Sequence, residues 1–434
     1  FTIISFLIRY YIFDDRESWY DEWHSIYAAN PNFNHAETLN AYYGDKGDSF
    51  LTEFYPPLYI FILKYVFLIF GYIDDNGRWL SIITGTLSIP FSIYLANQFL
   101  NIKKTFFIGL VLTFNLFLIW QSLEIRAHSL LVFSSIINII LFYKLLDRKN
   151  YISLFGYGIF SVLLLSLWPI TGAIFFGKTI YIVKKFVINK IFDKKIFFLF
   201  FFILLCYLIF NKDYLILNLS RDWHYTQLYS TFFYNYHFRT FFGSPVLGGV
   251  YLIIFAALLI YNTKKIVFLN SKENLIIYII LSSYFLTLLY TFFRASIMSP
   301  KYVIFIVPLI IVWINIQLFK YKNAKFISTI LILTTIVFCI LKIESWPIKR
   351  PPTTEALKII KDDKSTNIFS LDRDVFNTYL TTKRIFVENN FVLLNKRSII
   401  PNSINNFWFI CLNNPSFAVG DEKRPDQEIC KNFQ

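Results

Sequence analysis

The chain has 434 residues, 56% hydrophobic and 21% aromatic, with a mean hydropathy of +0.50, a balance that excludes an ordinary soluble domain. Its apolar runs are continuous rather than alternating, which excludes a β-barrel and leaves a polytopic α-helical membrane protein. The formal charge of +14 sits in short clusters between apolar runs, so it speaks for membrane orientation and against nucleic-acid binding.

The first apolar run, Phe1 to Phe13, is shorter than the about twenty residues a span needs. The expectation is a first helix whose start lies outside this sequence, and no small-residue cleavage site marks it as a signal peptide. A polar outer loop, 14–57, follows and opens on Glu17-Ser18-Trp19-Tyr20-Asp21-Glu22. Carboxylates beside a bilayer are expensive and call for a reason. Trp19, Tyr20 and Trp23 flank this pair, as in a segment held at the lipid–water boundary. Glu53-Phe54-Tyr55-Pro56-Pro57-Leu58-Tyr59 is a turn stiffened by proline that leads into the apolar run 56–73. That run is read as a helix along the outer leaflet, because a full crossing would put Asp21 and Lys103-Lys104 on the wrong sides.

Further apolar runs cover roughly 78–99, 105–121, 127–146, 151–168, 169–186, 196–211, 245–262, 274–293, 302–320 and 326–343. With the first, they make about eleven spanning helices. Lys103-Lys104, Lys144 with Arg148-Lys149, Lys184-Lys185 through Lys194-Lys195, Lys264-Lys265 and Lys320 to Lys325 then fall inside; Asp21, Glu124, Arg221, Arg294 and Lys301 fall outside. The segment 211–244 is a second outer loop rich in Tyr, Phe, His and Arg.

After Glu344 the composition shifts. Pro347, Pro351 and Pro352 end the last span. Thr353-Thr354 cap a helix through Asp362, and Ile368-Phe369, Ile385-Phe386-Val387 and Phe407 to Leu412 read as strands. The expected organisation is a membrane domain over 1–343 and a small extracytoplasmic α/β domain over 344–434, of a size that folds alone. Cys206 and Cys339 lie in apolar runs as packing residues; in an extracytoplasmic tail, Cys411 and Cys430 are candidates for a disulfide.

Three groups of residues are placed for chemistry. A carboxylate such as Asp21 takes the proton from an attacking hydroxyl or amine; alternatively Asp21 and Glu22 together hold a divalent metal. Gln121-Ser122-Leu123-Glu124-Ile125-Arg126 is the second cluster, in which Arg126 has the fork geometry for a phosphate and Glu124 orients it or touches the acceptor. His128 lies one helical turn after Glu124. Ser299-Pro300-Lys301-Tyr302 sets Lys301 at the mouth of a span, where it neutralises a lipid phosphate or snorkels; Arg294 invites the same reading. No P-loop and no Gly-x-Ser-x-Gly elbow is present, so the donor must arrive activated.

These clusters resemble, in order and spacing over roughly the first 310 residues, the bacterial protein-mannosyltransferase-like (PMT/ArnT-like) group of the GT-C glycosyltransferase superfamily. That group carries Trp-x-Asp-Glu, here Trp19-Tyr20-Asp21-Glu22, then His-Pro-Pro-Leu-Tyr, here Tyr55-Pro56-Pro57-Leu58-Tyr59. An Arg before an apolar run follows, here Arg78, then Ser-Gln-Glu-x-Arg, here ending in Glu124-Ile125-Arg126, and a later Pro-Arg-Tyr, here Pro300-Lys301-Tyr302. The departures are Leu123 for Gln, Tyr55 for His, Lys301 for Arg, and Trp168-Pro169 where a His-containing turn is common.

The resemblance implies a GT-C type fold in the plasma (inner) membrane with its site facing the periplasm or exterior. It implies a polyprenyl-phosphate sugar donor, inverting transfer to a lipid, protein or glycan acceptor, and a place in cell-envelope glycosylation. Asp21 is then the general base, Glu22 supports it, Arg126 and Lys301 meet the lipid phosphate, and Tyr55, His128, Arg294 and Tyr302 line the substrate site. Two other readings stay open: a lipid-linked sugar flippase or transporter, and a glycan polymerase or ligase fed by a lipid-linked oligosaccharide.

Overall fold

The structure is a computed structural model describing residues 1–13, 17–18, 20–43, 56–147, 150–189, 194–219, 234, 237–268, 271–293 and 297–343, with short pieces of the tail at 355, 358–359, 367–370, 378, 380–383, 391–393 and 407–410. Tyr55, Arg294, Arg221, Cys411, Cys430 and the expected strand at 385–387 lie outside these residues.

The chain is a helical bundle. In order the helices are α1 (Thr2–Phe13), α2 (Tyr20–Ala28), α3 (His35–Tyr43), α4 (Leu58–Phe70), α5 (Asp74–Ala96), α6 (Ile102–Thr113), α7 (Leu116–Gln121), α8 (His128–Asp147) and α9 (Tyr151–Leu167). They continue as α10 (Gly172–Asn189), α11 (Lys194–Phe210), α12 (Lys212–Leu219), α13 (Arg239–Phe241), α14 (Pro245–Phe268), α15 (Asn274–Phe293), α16 (Ile306–Leu318) and α17 (Ala324–Lys342). Among the described residues five of them, α5, α8, α14, α15 and α17, are long and apolar enough to cross a membrane. The protein is an integral membrane protein.

The helices start where the sequence supplies caps. The side chains of Asn101, Asn115 and Asn150 accept the backbone N–H of Lys104, Leu118 and Ser153 and so begin α6, α7 and α9. Asn115 breaks the expected run 105–121 in two, because its amide also donates to the Phe241 carbonyl at 2.9 Å and holds the chain out of helical geometry. α4, with 13 residues, is about 20 Å long, less than the hydrocarbon thickness of about 30 Å. Every residue of α16 is buried, Asn315 and Gln317 included, which puts this largely apolar helix at the centre of the bundle. Gly177 of α10 lies against the backbone of Ile279 in α15, where a Cβ would meet the Ile279 Cα at 2.7 Å.

The two ends of the bundle differ in charge. At one end Lys272 pairs with Asp147 at 2.6 Å and Lys320 with Glu273 at 2.5 Å, while Lys184 donates to the Tyr278 hydroxyl. Asp21, Glu22, Glu124 and Lys301 gather at the other end, one length of α8 away; its 20 residues make about 30 Å. Among the described residues, Arg9 and Lys178 also sit within the bundle, inside runs the sequence reading treats as plain apolar spans. Arg9 donates to the Ser122 hydroxyl at 2.7 Å. Lys178 donates to Asn138 and Tyr157 and is ringed by Phe142, Tyr157 and Phe175.

In the tail three short strands, β1 (Asn367–Ser370), β2 (Phe391–Leu393) and β3 (Phe407–Ile410), form a parallel sheet in the order β2-β1-β3.

Candidate functional site

The site is built by α2, the turn 122–127 between α7 and α8, the N-terminal half of α5, and the turns leading into α16. Glycine makes the close approach possible: a Cβ on Gly85 of α5 would fall 2.4 Å from the Cβ of Ser122, and one on Gly77 3.2 Å from the methyl of Ile125. Ser81 of α5 donates to the Arg126 carbonyl at 3.4 Å, and Ser129 to that of Gln121 at 3.1 Å, so the turn is tied down on both sides.

Asp21 and Glu22, neighbours in sequence, face different partners. The Asp21 carboxylate is part-exposed, and its Oδ2 stands 3.8 Å from Lys301 Nζ. Burial acts against the Lys301 charge, but Tyr302 and the Asp21 carboxylate outweigh it and hold the ammonium above its ordinary range. Glu22 is fully buried; its Oε1 accepts the Ile125 N–H at 2.9 Å and lies 3.9 Å from the equally buried Arg78. Glu22 therefore fastens α2 to the turn. Among the described residues no three His, Cys, Asp or Glu side chains stand together as a protein-only metal site would have.

Glu124 and Arg126 are both nearly buried. Arg126 donates to the Asp21 carbonyl at 3.0 Å and to the Ser25 hydroxyl at 3.2 Å, so it belongs to the same unit as α2. Glu124 Oε2 lies 3.7 Å from His128 Nδ1. The sequence reading expects that pair from a shared helical face, yet Glu124 precedes the first turn of α8 and reaches His128 from a bend. The His128 ring sits 5.9 Å from Trp168, and Trp168 5.6 Å from Tyr302.

Arg126 borders a narrow cleft lined by Ser25, Tyr42, Pro56, Tyr59, Ala127 and Trp168 among others. It has aromatic walls and few polar groups, as ligand sites do. The structure thus brings together Asp21, Glu22, Glu124, Arg126, His128, Lys301 and Tyr302. The sequence reading gave no role to Ser18, Ser25, Tyr42, Asp74 or Trp168. Asp74 and Arg78 did carry a signal, two opposite charges one helical turn apart ahead of an apolar run.

No family model matches this chain, and no curated protein matches it in sequence. Solved structures do match in fold. ArnT from Cupriavidus metallidurans bound to undecaprenyl phosphate shares 12% identity at a TM-score of 0.51, over 88% of this chain and 69% of that one. The apo state of the same protein gives 12% and 0.53, over 82% and 67%. The Archaeoglobus fulgidus oligosaccharyltransferase tethered to an acceptor peptide containing the NVT sequon gives 10% and 0.53; 91% of this chain is covered but only 63% of that one. The shared property is the fold of these membrane glycosyltransferases.

Proposed function

We propose that this protein is an integral-membrane glycosyltransferase of the GT-C type, close in kind to the protein-mannosyltransferase-like group. It moves a sugar from a polyprenyl-phosphate donor to an acceptor at the extracytoplasmic face, with inversion. The observation that carries this reading is the pairing of Asp21 with Lys301 at 3.8 Å beside the Arg126 cleft, on a fold similar to that of ArnT, which was crystallised with undecaprenyl phosphate.

The chemistry follows from these groups. The acceptor hydroxyl or amine attacks the anomeric carbon from the face opposite the phosphate. The new glycosidic bond forms as the bond from the sugar to the phosphate oxygen breaks, and the acceptor proton passes to the Asp21 carboxylate. Lys301 and Arg126 stabilise the charge gathering on the departing polyprenyl phosphate. Tyr42, Tyr59 and Trp168, which line the cleft beside Arg126, offer the aromatic faces against which the sugar would pack once the cleft opens to admit it.

The test is transfer of labelled sugar from a panel of polyprenyl-phosphate donors, in membranes carrying the wild-type chain or Asp21→Asn. Transfer by the wild type alone supports the reading and names the donor. No transfer from any donor by intact protein turns it toward flipping or toward an oligosaccharide donor.

A further inference from the structure

The tail reaches the site through a line of buried charges. Asp74, at the first turn of α5, is 1% exposed. A carboxylate so deep is strongly unfavourable unless it is paired. Its Oδ2 is met by Lys383 Nζ at 2.9 Å, from the tail, and by the Ser18 hydroxyl at 3.4 Å, from the segment ahead of α2. Ser18 accepts in turn from Arg78 at 2.7 Å, so its one hydroxyl both donates and accepts. Arg78, fully buried, stands 3.9 Å from Glu22, and Glu22 accepts the Ile125 N–H of the turn that carries Glu124 and Arg126.

A second contact runs in parallel. The Tyr72 hydroxyl donates to the Ile26 carbonyl near the end of α2 at 3.1 Å and is hydrogen-bonded by Thr378 of the tail. Thr378 and Thr382 are buried, and Leu380 packs against the main core. Thr378 and Lys383 are thus linked to both ends of the helix that carries Asp21, through Tyr72 at its end and through Asp74 and Ser18 ahead of its start.

We propose that Lys383 is a positioning residue of the active site: through Asp74, Ser18, Arg78 and Glu22 it fixes α2, and with it Asp21, against the turn 122–127. The tail is then a working part of the transferase, and a chain whose tail is displaced holds its base out of register. The catalytic consequence rests on the function proposed above; the mechanical one does not.

The experiment uses the full chain with Lys383→Met, Lys383→Arg and the pair Lys383→Met with Asp74→Asn. Two readouts are taken: steady-state transfer of labelled sugar, and hydrogen exchange of the amides of 20–28. Lys383→Met should lower kcat on the order of 10²-fold with donor KM nearly unchanged, as loss of alignment does. It should also speed exchange in α2. Lys383→Arg should recover both, and the pair should be no worse than Lys383→Met alone, because Asp74→Asn removes the charge left stranded. Unchanged α2 exchange in Lys383→Met overturns the proposal whether or not the chain transfers sugar. Equal losses of kcat in the Met and Arg variants overturn it as well. Faster exchange in a wild-type-foldable chain that transfers no sugar would uphold the relay and reject the transferase reading instead.

Discussion

Lys301 Nζ stands 3.8 Å from Oδ2 of Asp21 with both side chains about one-third exposed, so the pair is poorly placed to stabilise the fold. A part-exposed ion pair contributes about 0.2–1 kcal/mol. In the proposed reaction its value lies in putting a held positive charge beside the carboxylate, where the phosphate would leave. Lys301→Gln should therefore shift thermal stability by no more than about 1 kcal/mol. It should reduce transfer by about 10²-fold, as removal of a charge-stabilising group does. A variant that unfolds early but, where folded, transfers at the wild-type rate would make Lys301 a structural residue.

Asp21→Asn keeps the size of the side chain and removes its basicity. Transfer should fall by about 10²–10⁴-fold, the usual contribution of a general base. Binding of the lipid donor should survive, since Arg126 is anchored by the Asp21 main-chain carbonyl and by Ser25, which the substitution leaves in place. Measured donor affinity and turnover must separate in this variant; if both collapse, Asp21 holds substrate rather than accepting a proton.

Arg78 and Glu22 are an ion pair with no exposure, and breaking such a pair strands a buried charge. Arg78→Met should destabilise the detergent-solubilised protein by about 3–5 kcal/mol. Ser18 and Glu22 both lose the guanidinium in that variant and keep only their other contacts, to Asp74 and the Ile125 N–H, so α2 should become the first part of the molecule to be cut by protease. A denaturation midpoint equal to that of the wild type would show that the pair is dispensable.

The polar clusters and the apolar runs were legible because each is local: Asp21-Glu22, Glu124 with Arg126, and Pro300-Lys301-Tyr302 stand out against apolar surroundings, and the expected runs coincide with α5, α8, α9, α14, α15 and α17 to within a few residues at most ends. What was not legible depends on which distant residue answers a charge. Nothing near Glu22 in sequence tells that its partners are Arg78 and the Ile125 amide, or that Asp74 is met by Lys383. Asn115 reads as one polar residue inside a span, and only the Phe241 carbonyl makes it a break between two helices. Lys178 passes unnoticed in an apolar run because its partner, Asn138, lies on another helix.

Gly85 and Gly156 give opposite expectations for the same substitution. A Cβ at Gly85 would overlap the Cβ of Ser122, which cannot retreat while Arg9 holds its hydroxyl; at Gly156 nothing lies within 4 Å. Gly85→Ala should cost about 1–3 kcal/mol by overpacking and should impair transfer by pushing the turn that carries Glu124 and Arg126. Gly156→Ala should raise stability by up to about 1 kcal/mol through helix propensity and leave transfer alone. Thermal melts of the two variants side by side settle the matter, and equal behaviour would mean that α5 and the turn do not meet as closely as described.

His237 makes acid the condition under which the Lys301 segment should loosen. Its ring is fully buried between Tyr284, Phe241 and the chain at Met298, three residues before Lys301. Nε2 lies 2.6 Å from the Met298 carbonyl, which can only accept, so Nε2 carries the proton and Nδ1 accepts from the Tyr284 hydroxyl at 3.3 Å. Burial lowers the pKa from 6.5 to about 4, with the Met298 carbonyl opposing the shift. The folded state thus resists a proton that the unfolded state binds more readily. The stabilising contribution is present in full above pH 6.5 and is lost as pH falls toward about 4, on the order of 3 kcal/mol in all. His237→Gln retains an amide donor for the Met298 carbonyl but does not titrate in this window. Melts taken at intervals from pH 7 to pH 4.5 should show a falling wild-type midpoint and a flatter line for the variant. Parallel lines would assign the acid sensitivity to other groups and leave His237 as packing alone.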